Sequence, residues 1–264
     1  MRYLPQIDLG IRQYIEHRLE TGEVPMPADT SVYLIFILYG GGVYNGVGMK
    51  AGDVIALGLN KDPMIGFSHY TELFMVEMEF RLFFQLTGIV PAFCQQVIPL
   101  DEDVFLAELC SRLMETPSPQ RPGVIEQAFL SRIQQDKHLV WRKLERIDLA
   151  SKMLGSVSYV QYDHLASQLN VSLRQLERDF SAMLGITLKD YARIQRFHRS
   201  IRFMKKMSAA EAAFLSGYFD QAHMTKEFKK LSTWTPAQAL QCYDLNFEGI
   251  PLGERSCNMM QSGT

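Results

Sequence analysis

A chain of 264 residues with 47% hydrophobic and 21% charged side chains is long enough for two domains of ordinary size and carries no disordered or fibrous signature. The formal net charge of −2 hides a division: residues 1–136 hold 9 Lys and Arg against 17 Asp and Glu, a net of −8, whereas residues 137–245 hold 17 against 10, a net of +7. The amino terminus lacks a hydrophobic signal core, and the longest apolar run, Val32–Tyr39, has about half the length of a membrane span, so neither export nor membrane insertion is expected and a cytoplasmic location is.

The first hundred residues read mostly as strands. VYLIFILY, VYNGVGM, DVIALGL and LFMVEMEF are short and rich in β-branched or aromatic residues, and glycine turns separate them. MKAGD at 49–53 reads as a turn between two of these strands. Short strands at this spacing predict a barrel or sandwich, whose interior holds either a small ligand or its own side chains. Glu77 and Glu79 alternate onto one strand face and are expected to meet solvent or a ligand.

From residue 101 the period changes to 3.6. Val104, Leu106, Leu109 and Leu113 form the apolar side of a helix near 101–116. After the breaker PSPQRPG, Val124, Ile125, Ala128, Phe129 and Ile133 predict a second helix near 124–136, giving a hairpin that covers the sheet, pairs with a second subunit, or does both.

Seven helical patterns follow, at 139–154, 162–169, 172–184, 188–206, 209–216, 220–231 and 236–243. Two segments repeat one plan. DHLASQLN leads through a tight turn to Ser172 as N-cap of LRQLERDFSAML, and EAAFLSG leads through YF to Asp220 as N-cap of QAHMTKEFKKL. A short helix, a tight turn and a capped second helix make the helix-turn-helix layout, with the small Ala166 and Ala213 where two helices approach closely.

In the first unit Leu173, Leu176, Phe180 and Leu184 form the buried stripe, leaving Arg174, Glu177 and Arg178 on another face. Arginine donates bidentately to guanine and a carboxylate accepts from cytosine, so this trio suits base reading. In the second unit Met224, Phe228 and Leu231 are expected inside, with Gln221, Ala222, His223 and Lys226 facing out. The helix over 188–206 is expected to span about 28 Å and to join two reading helices that enter successive major grooves. Ser172, Arg193, Arg196, Arg199, Arg202 and Lys229, with Lys205 and Lys206, are candidate phosphate contacts, some of them needed for internal pairs.

These residues resemble the AraC/XylS family of bacterial transcription regulators. GYFDQAHMTKEFKK followed by TWTP matches the family's second-unit block, with Gly217, Asp220, Gln221, Phe228 and Pro236 in register. LASQLNVSLRQLERDF and LGIT are similar to the first unit, with Leu165, Ala166, Ser172, Leu176, Phe180 and Gly185 in register. The resemblance implies base reading by Arg174, Glu177 and Arg178, then by Gln221, Ala222, His223 and Lys226. Departures are Tyr218, Met224, Lys226, Ser232, Trp234 and Ala212, and Ser232 is expected to need a positive φ. MKAGDVIALG and the stretch from MEFRLFF to VIPLDE look like the β-rich sensory domains attached to some members.

The sequence therefore predicts an α+β protein. Residues 1–136 form a β-rich barrel or sandwich, sensor-like and dimerising, with a helical hairpin; residues 137–245 form an all-α seven-helix domain with two helix-turn-helix units; residues 246–264 form a tail. The expected function is sequence-specific recognition of double-stranded promoter DNA by a homodimer that contacts RNA polymerase and takes a possible small-molecule effector at a site the sequence does not locate. No membrane contact is expected. The alternative is a regulator acting through protein–protein contact with its AraC-like domain. No nucleophile motif, phosphate loop or H-x-H pair occurs, His69 is isolated, and Cys94, Cys110, Cys242 and Cys257 lie far apart, so no catalysis, metal, cofactor or disulfide is expected.

Overall fold

The computed structural model describes residues 1–44, 46–60, 64–90, 92, 98–100, 102–135, 142–156 and 161–242. They divide into two compact units, one drawn from residues 1–24, 31–58 and 65–141, the other from residues 25–30, 59–64 and 142 onward. In chain order the first elements are β1 (Arg2–Tyr3), β2 (Ile11–Leu19), β3 (Gly22–Met26), β4 (Val32–Tyr39), β5 (Gly41–Tyr44), β6 (Val47–Lys50), β7 (Val54–Leu57), β8 (Met64–Ser68) and β9 (Thr71–Met78). Helix α1 (Phe80–Thr87), β10 (Ile98–Pro99), α2 (Val104–Glu115) and α3 (Arg121–Gln135) follow.

The strands build two sheets, ordered β1-β2-β9-β4-β7-β10 and β3-β8-β5-β6. β4 is nearly continuous in apolar residues because it is an inner strand, antiparallel to β9 with Leu34 opposite Val76 and to β7 with Ile35 opposite Ile55. Burying Leu34, Phe36, Phe74 and Val76 removes their apolar surface from water, the main force holding this unit together. At the end of β4, Gly40 has φ +72, and a Cβ there would lie 1.8 Å from the Tyr70 carbonyl oxygen, so only glycine fits the corner.

Three features depart from expectation. β2 is a strand despite its charges, because Arg18 meets Glu72 across the β2–β9 pair at 3.1 Å and Glu16 is held by Arg121 of α3. The predicted strand over LFMVEMEF ends at Met78, and FRLFFQLT forms α1, buried at Phe80, Leu82, Phe83, Phe84 and Leu86 and closed by left-handed Gly88. Glu77 is 3% exposed and does not meet solvent: it accepts from Gln13 Nε2 (2.5 Å) and Ser31 Oγ (2.8 Å), with Arg12 at 3.8 Å, while Glu79 stands at the start of α1.

The hairpin is present as α2 and α3, which touch each other while α2 covers β4 and β7. Leu106, Leu109 and Leu113 are buried, but Val104, in the first turn, is 70% exposed and lies outside the stripe. Cys110 is a buried thiol that burial and the nearby Asp53 push up to about 11, which keeps it protonated and unreactive. Cys94 and Cys257 and the predicted tail 246–264 lie outside the described residues, as does the start, 139–141, of the predicted helix 139–154.

The second unit contains, among the described residues, α4 (Arg142–Ser156), α5 (Tyr162–Gln168), α6 (Leu173–Leu184), α7 (Leu188–Met204), α8 (Ala209–Ser216), α9 (Gln221–Ser232) and α10 (Pro236–Cys242). The simple division near residue 137 is redrawn by two short segments of the early chain that belong to this unit. Ala28 N–H donates to the Leu231 carbonyl (2.7 Å), satisfying one of the carbonyls that the end of α9 leaves without an intrahelical donor. His198 Nε2 lies 3.2 Å from Ala28 O, Gln195 donates to Thr30 Oγ1 (2.6 Å), and Asn60 pairs with Asp29.

Candidate nucleic-acid interface

The two helix-turn-helix units are built from the same local chemistry. At the end of α5, Asn170 takes φ 55 and Val171 N–H donates to the Ala166 carbonyl (3.1 Å). At the end of α8, Gly217 takes φ 83 and Tyr218 N–H donates to the Ala213 carbonyl (3.0 Å). A left-handed residue followed by this long-range bond is the helix-ending motif that turns the chain sharply. Ala166 and Ala213, both buried, hold equivalent places at the two turns.

The second helices begin where the caps predict. Ser172 Oγ accepts from Gln175 N (3.2 Å) to start α6, and an Asp220 carboxylate oxygen accepts from His223 N (2.6 Å) to start α9. Ser208 and Glu211 form a reciprocal capping box at α8, whose hydrogen bonds hold the Glu211 carboxyl below the usual carboxylate range. Leu176, Phe180 and Leu184 of α6 and Met224, Phe228 and Leu231 of α9 are buried. Phe180 meets Tyr191 edge-on at 5.5 Å, and Phe228 meets Phe197 at 4.7 Å, so both second helices rest on α7 through aromatic contacts.

Burial of those stripes fixes what faces outward. Arg174 and Arg178 are exposed and Glu177 half-exposed on α6; Gln221, Ala222, His223 and Lys226 are exposed on α9. Arg178 donates to Gln175, which donates in turn to buried Asp179 (2.7 Å), and Asp179 also receives Arg146 of α4 at 2.6 Å. The outward face of α6 is thereby tied to α4. His223 Nδ1 accepts from Phe219 N–H (3.4 Å), which leaves Nε2 as the outward donor when the ring is neutral.

The cations of α7 divide. Arg199 is 7% exposed and donates to the carbonyls of Leu154 (3.0 Å) and Gly155 (3.1 Å) at the end of α4; burial and the neighbouring Arg202 and Arg196 lower its pKa. Its expected phosphate role is corrected to that of a helix-end anchor. Arg193 is engaged by Glu227 of α9 and by Asp190, so it too serves inside the unit. Arg196 donates to the Gly217 carbonyl (3.2 Å) and lies 5.2 Å from the centre of the Tyr218 ring, whose phenol burial keeps neutral. Ser172 and Lys229 are exposed and Arg202 half-buried. α7 has 17 residues, shorter than the 19 expected, and spans about 25 Å.

The positive φ expected at Ser232 falls one residue later. Ser232 is the last helical residue of α9, buried, with its hydroxyl donating to the Phe228 carbonyl (2.8 Å), and Thr233 takes φ 67. A threonine there carries a steric cost that glycine does not. Thr233→Gly is expected to raise stability by about 0.5–1 kcal/mol, read as a higher urea midpoint of the full chain; an unchanged or lower midpoint would contradict this.

Among the described residues no helix is long and apolar enough to cross a membrane. Residues 165–241 match a helix-turn-helix domain family. The chain is 32% identical over 81 residues to a probable transcription factor, PqrA, of Proteus vulgaris, a stretch that covers 30% of this chain and 66% of that protein. Among solved structures, ToxT of Vibrio cholerae superposes with a TM-score of 0.54 at 11% identity, covering 87% of this chain and 97% of ToxT. A ToxT structure with an unsaturated fatty acid bound gives 0.51 at 13% identity, covering 86% and 94%. The likeness to ToxT is one of fold: a sheet region followed by a helical one.

Proposed function

We propose that the chain is a DNA-binding transcription regulator of the AraC type, and that α6 and α9 are its reading helices, entering successive major grooves of one promoter duplex. The observation that carries this reading is the repeated presentation: two capped helices, each preceded by a left-handed helix end, each bury an apolar stripe on α7 and leave polar side chains outside.

Arg174, Glu177 and Arg178 of α6 and Gln221, Ala222, His223 and Lys226 of α9 read base edges. Arginine suits guanine, Glu177 suits cytosine N4, and Gln221 suits adenine. Ser172, Arg202, Lys205, Lys206 and Lys229 set register on phosphates, while Arg193 and Arg199 hold the helices in place. Homodimerisation and contact with RNA polymerase belong to the same proposal, as does a cytoplasmic site of action.

A small-molecule effector is assigned to the sheet-bearing unit. A 720 Å³ cavity there, with Ile89, Leu100, Phe105 and Arg132 in its lining, supports that assignment.

Titration of the full chain onto duplex DNA at several salt concentrations tests the proposal. With four phosphate-binding cations, log K is expected to fall with log salt at a slope of about −3 to −4. Absence of salt-sensitive binding to any duplex would overturn it in favour of action through protein contact alone.

A further inference from the structure

Phe219 is 91% exposed, the most solvent-open of the large apolar side chains among the described residues. It lies in the turn between α8 and α9, directly before the cap Asp220. The two helix-turn-helix units differ at this point. Counting from the equivalent alanines, the cap follows Ala166 by six residues in the first unit and Ala213 by seven in the second, so Phe219 is the extra residue of the longer turn.

An apolar residue just before a cap usually packs on the fourth helical residue and fixes the angle of entry. Here that partner, Met224, is buried without it, and Tyr218 is buried beneath Arg196. Phe219 is thus not used by the fold. Its backbone is nevertheless fixed, with its N–H on His223 Nδ1 and the next residue capping α9. An aromatic ring is therefore held outward at the amino-terminal end of a reading helix, beside exposed Gln221 and Ala222 and on a helix carrying exposed Lys226, Lys229 and Lys230.

We propose that Phe219 is a specificity-determining DNA contact of the second unit, its ring packing on the 5-methyl group of a thymine beside the base pair read from α9. The proposal rests on the assignment of α9 as a reading helix. Thymine is the only base with an apolar group on its major-groove edge, and phenylalanine and alanine side chains recognise it. Lysines on the same helix supply the complementarity to a polyanion that a protein partner of ordinary charge would not require. The consequence is a requirement for thymine that Gln221 and Lys226, as hydrogen-bonding side chains, would not impose, and that is lost in F219A although Ala222 is still present.

The test uses the full-length chain and the duplex it selects from a random pool. Each thymine of that duplex is replaced in turn by deoxyuridine, which removes the methyl group and leaves pairing unchanged. The wild type is expected to lose about threefold to tenfold in affinity at one position within the α9 half of the site. F219A is expected to be indifferent to that replacement, F219L to retain part of the discrimination, and both to keep the salt slope and the affinity for random DNA. If the wild type selects a site and shows salt-dependent binding, yet F219A discriminates every thymine as the wild type does, the inference fails while the reading helices stand. If the wild type selects no site, the function proposed for α9 fails first, which separates the two outcomes.

Discussion

Phe228→Ala is expected to destabilise the helical unit by about 4 kcal/mol, within the 3–5 kcal/mol that truncating a fully buried phenylalanine costs. Phe228 has no exposed surface, and its ring contacts Phe197 at 4.7 Å, so truncation leaves a cavity between α9 and α7. The neighbourhood cannot collapse freely. Arg193 ties α7 to Glu227, one residue before Phe228, and Leu231 accepts from Ala28, so both helices are held while the ring is missing. Calorimetry of the full chain should show one transition moved down steeply, with α9 losing protection from hydrogen exchange. A loss below 1 kcal/mol would mean that α9 is not seated on α7 as described.

Arg178→Ala is expected to lower affinity for the preferred duplex by about 10- to 100-fold while changing affinity for random DNA little, because a bidentate arginine–guanine pair discriminates by about 1–3 kcal/mol. The guanidinium is exposed, and its partner in the free protein, Gln175, is itself anchored through Asp179 to Arg146. Arg178 therefore starts from a supported position, with little side-chain order left to impose on binding. Arg199→Ala separates the two kinds of arginine, since it removes a link between α7 and the end of α4 and should lower stability before it affects DNA contact. Equal losses on specific and random DNA for Arg178→Ala would move that residue to a phosphate role.

The helical unit was legible wherever one residue decides one boundary. Ser172 and Asp220 each cap the helix they precede, as their place before an amphipathic run predicts. The outward faces of α6 and α9 were legible because their apolar stripes leave a single orientation open. What was missed depends on partners remote in sequence. Arg199 reads as one basic residue among several until Leu154 and Gly155 are found beside it, 45 and 44 residues away. The charges of β2 conceal a strand because the residues that satisfy them lie on β9 and α3. α1 escaped notice because it is only eight residues long and follows β9 with no glycine or proline to mark the change from strand to helix. The positive φ falls at Thr233 because that residue is the left-handed cap of α9, its N–H donating to the Lys229 carbonyl.

The segments 25–30 and 59–64 have a practical consequence. Segment 25–30 makes hydrogen bonds to α7 and α9 and is itself paired through Asp29 with Asn60 of segment 59–64, so a fragment beginning near residue 137 lacks part of its own unit. Binding is therefore best measured on the whole chain.

The most direct test of the account is a map of base contacts by methylation interference with the full chain on its selected duplex. Two reading helices in successive major grooves predict two clusters of interfering guanines centred about 10 base pairs apart, on one face of the helix. A single cluster, or two clusters on opposite faces, would contradict the assignment of α6 and α9 as paired reading helices.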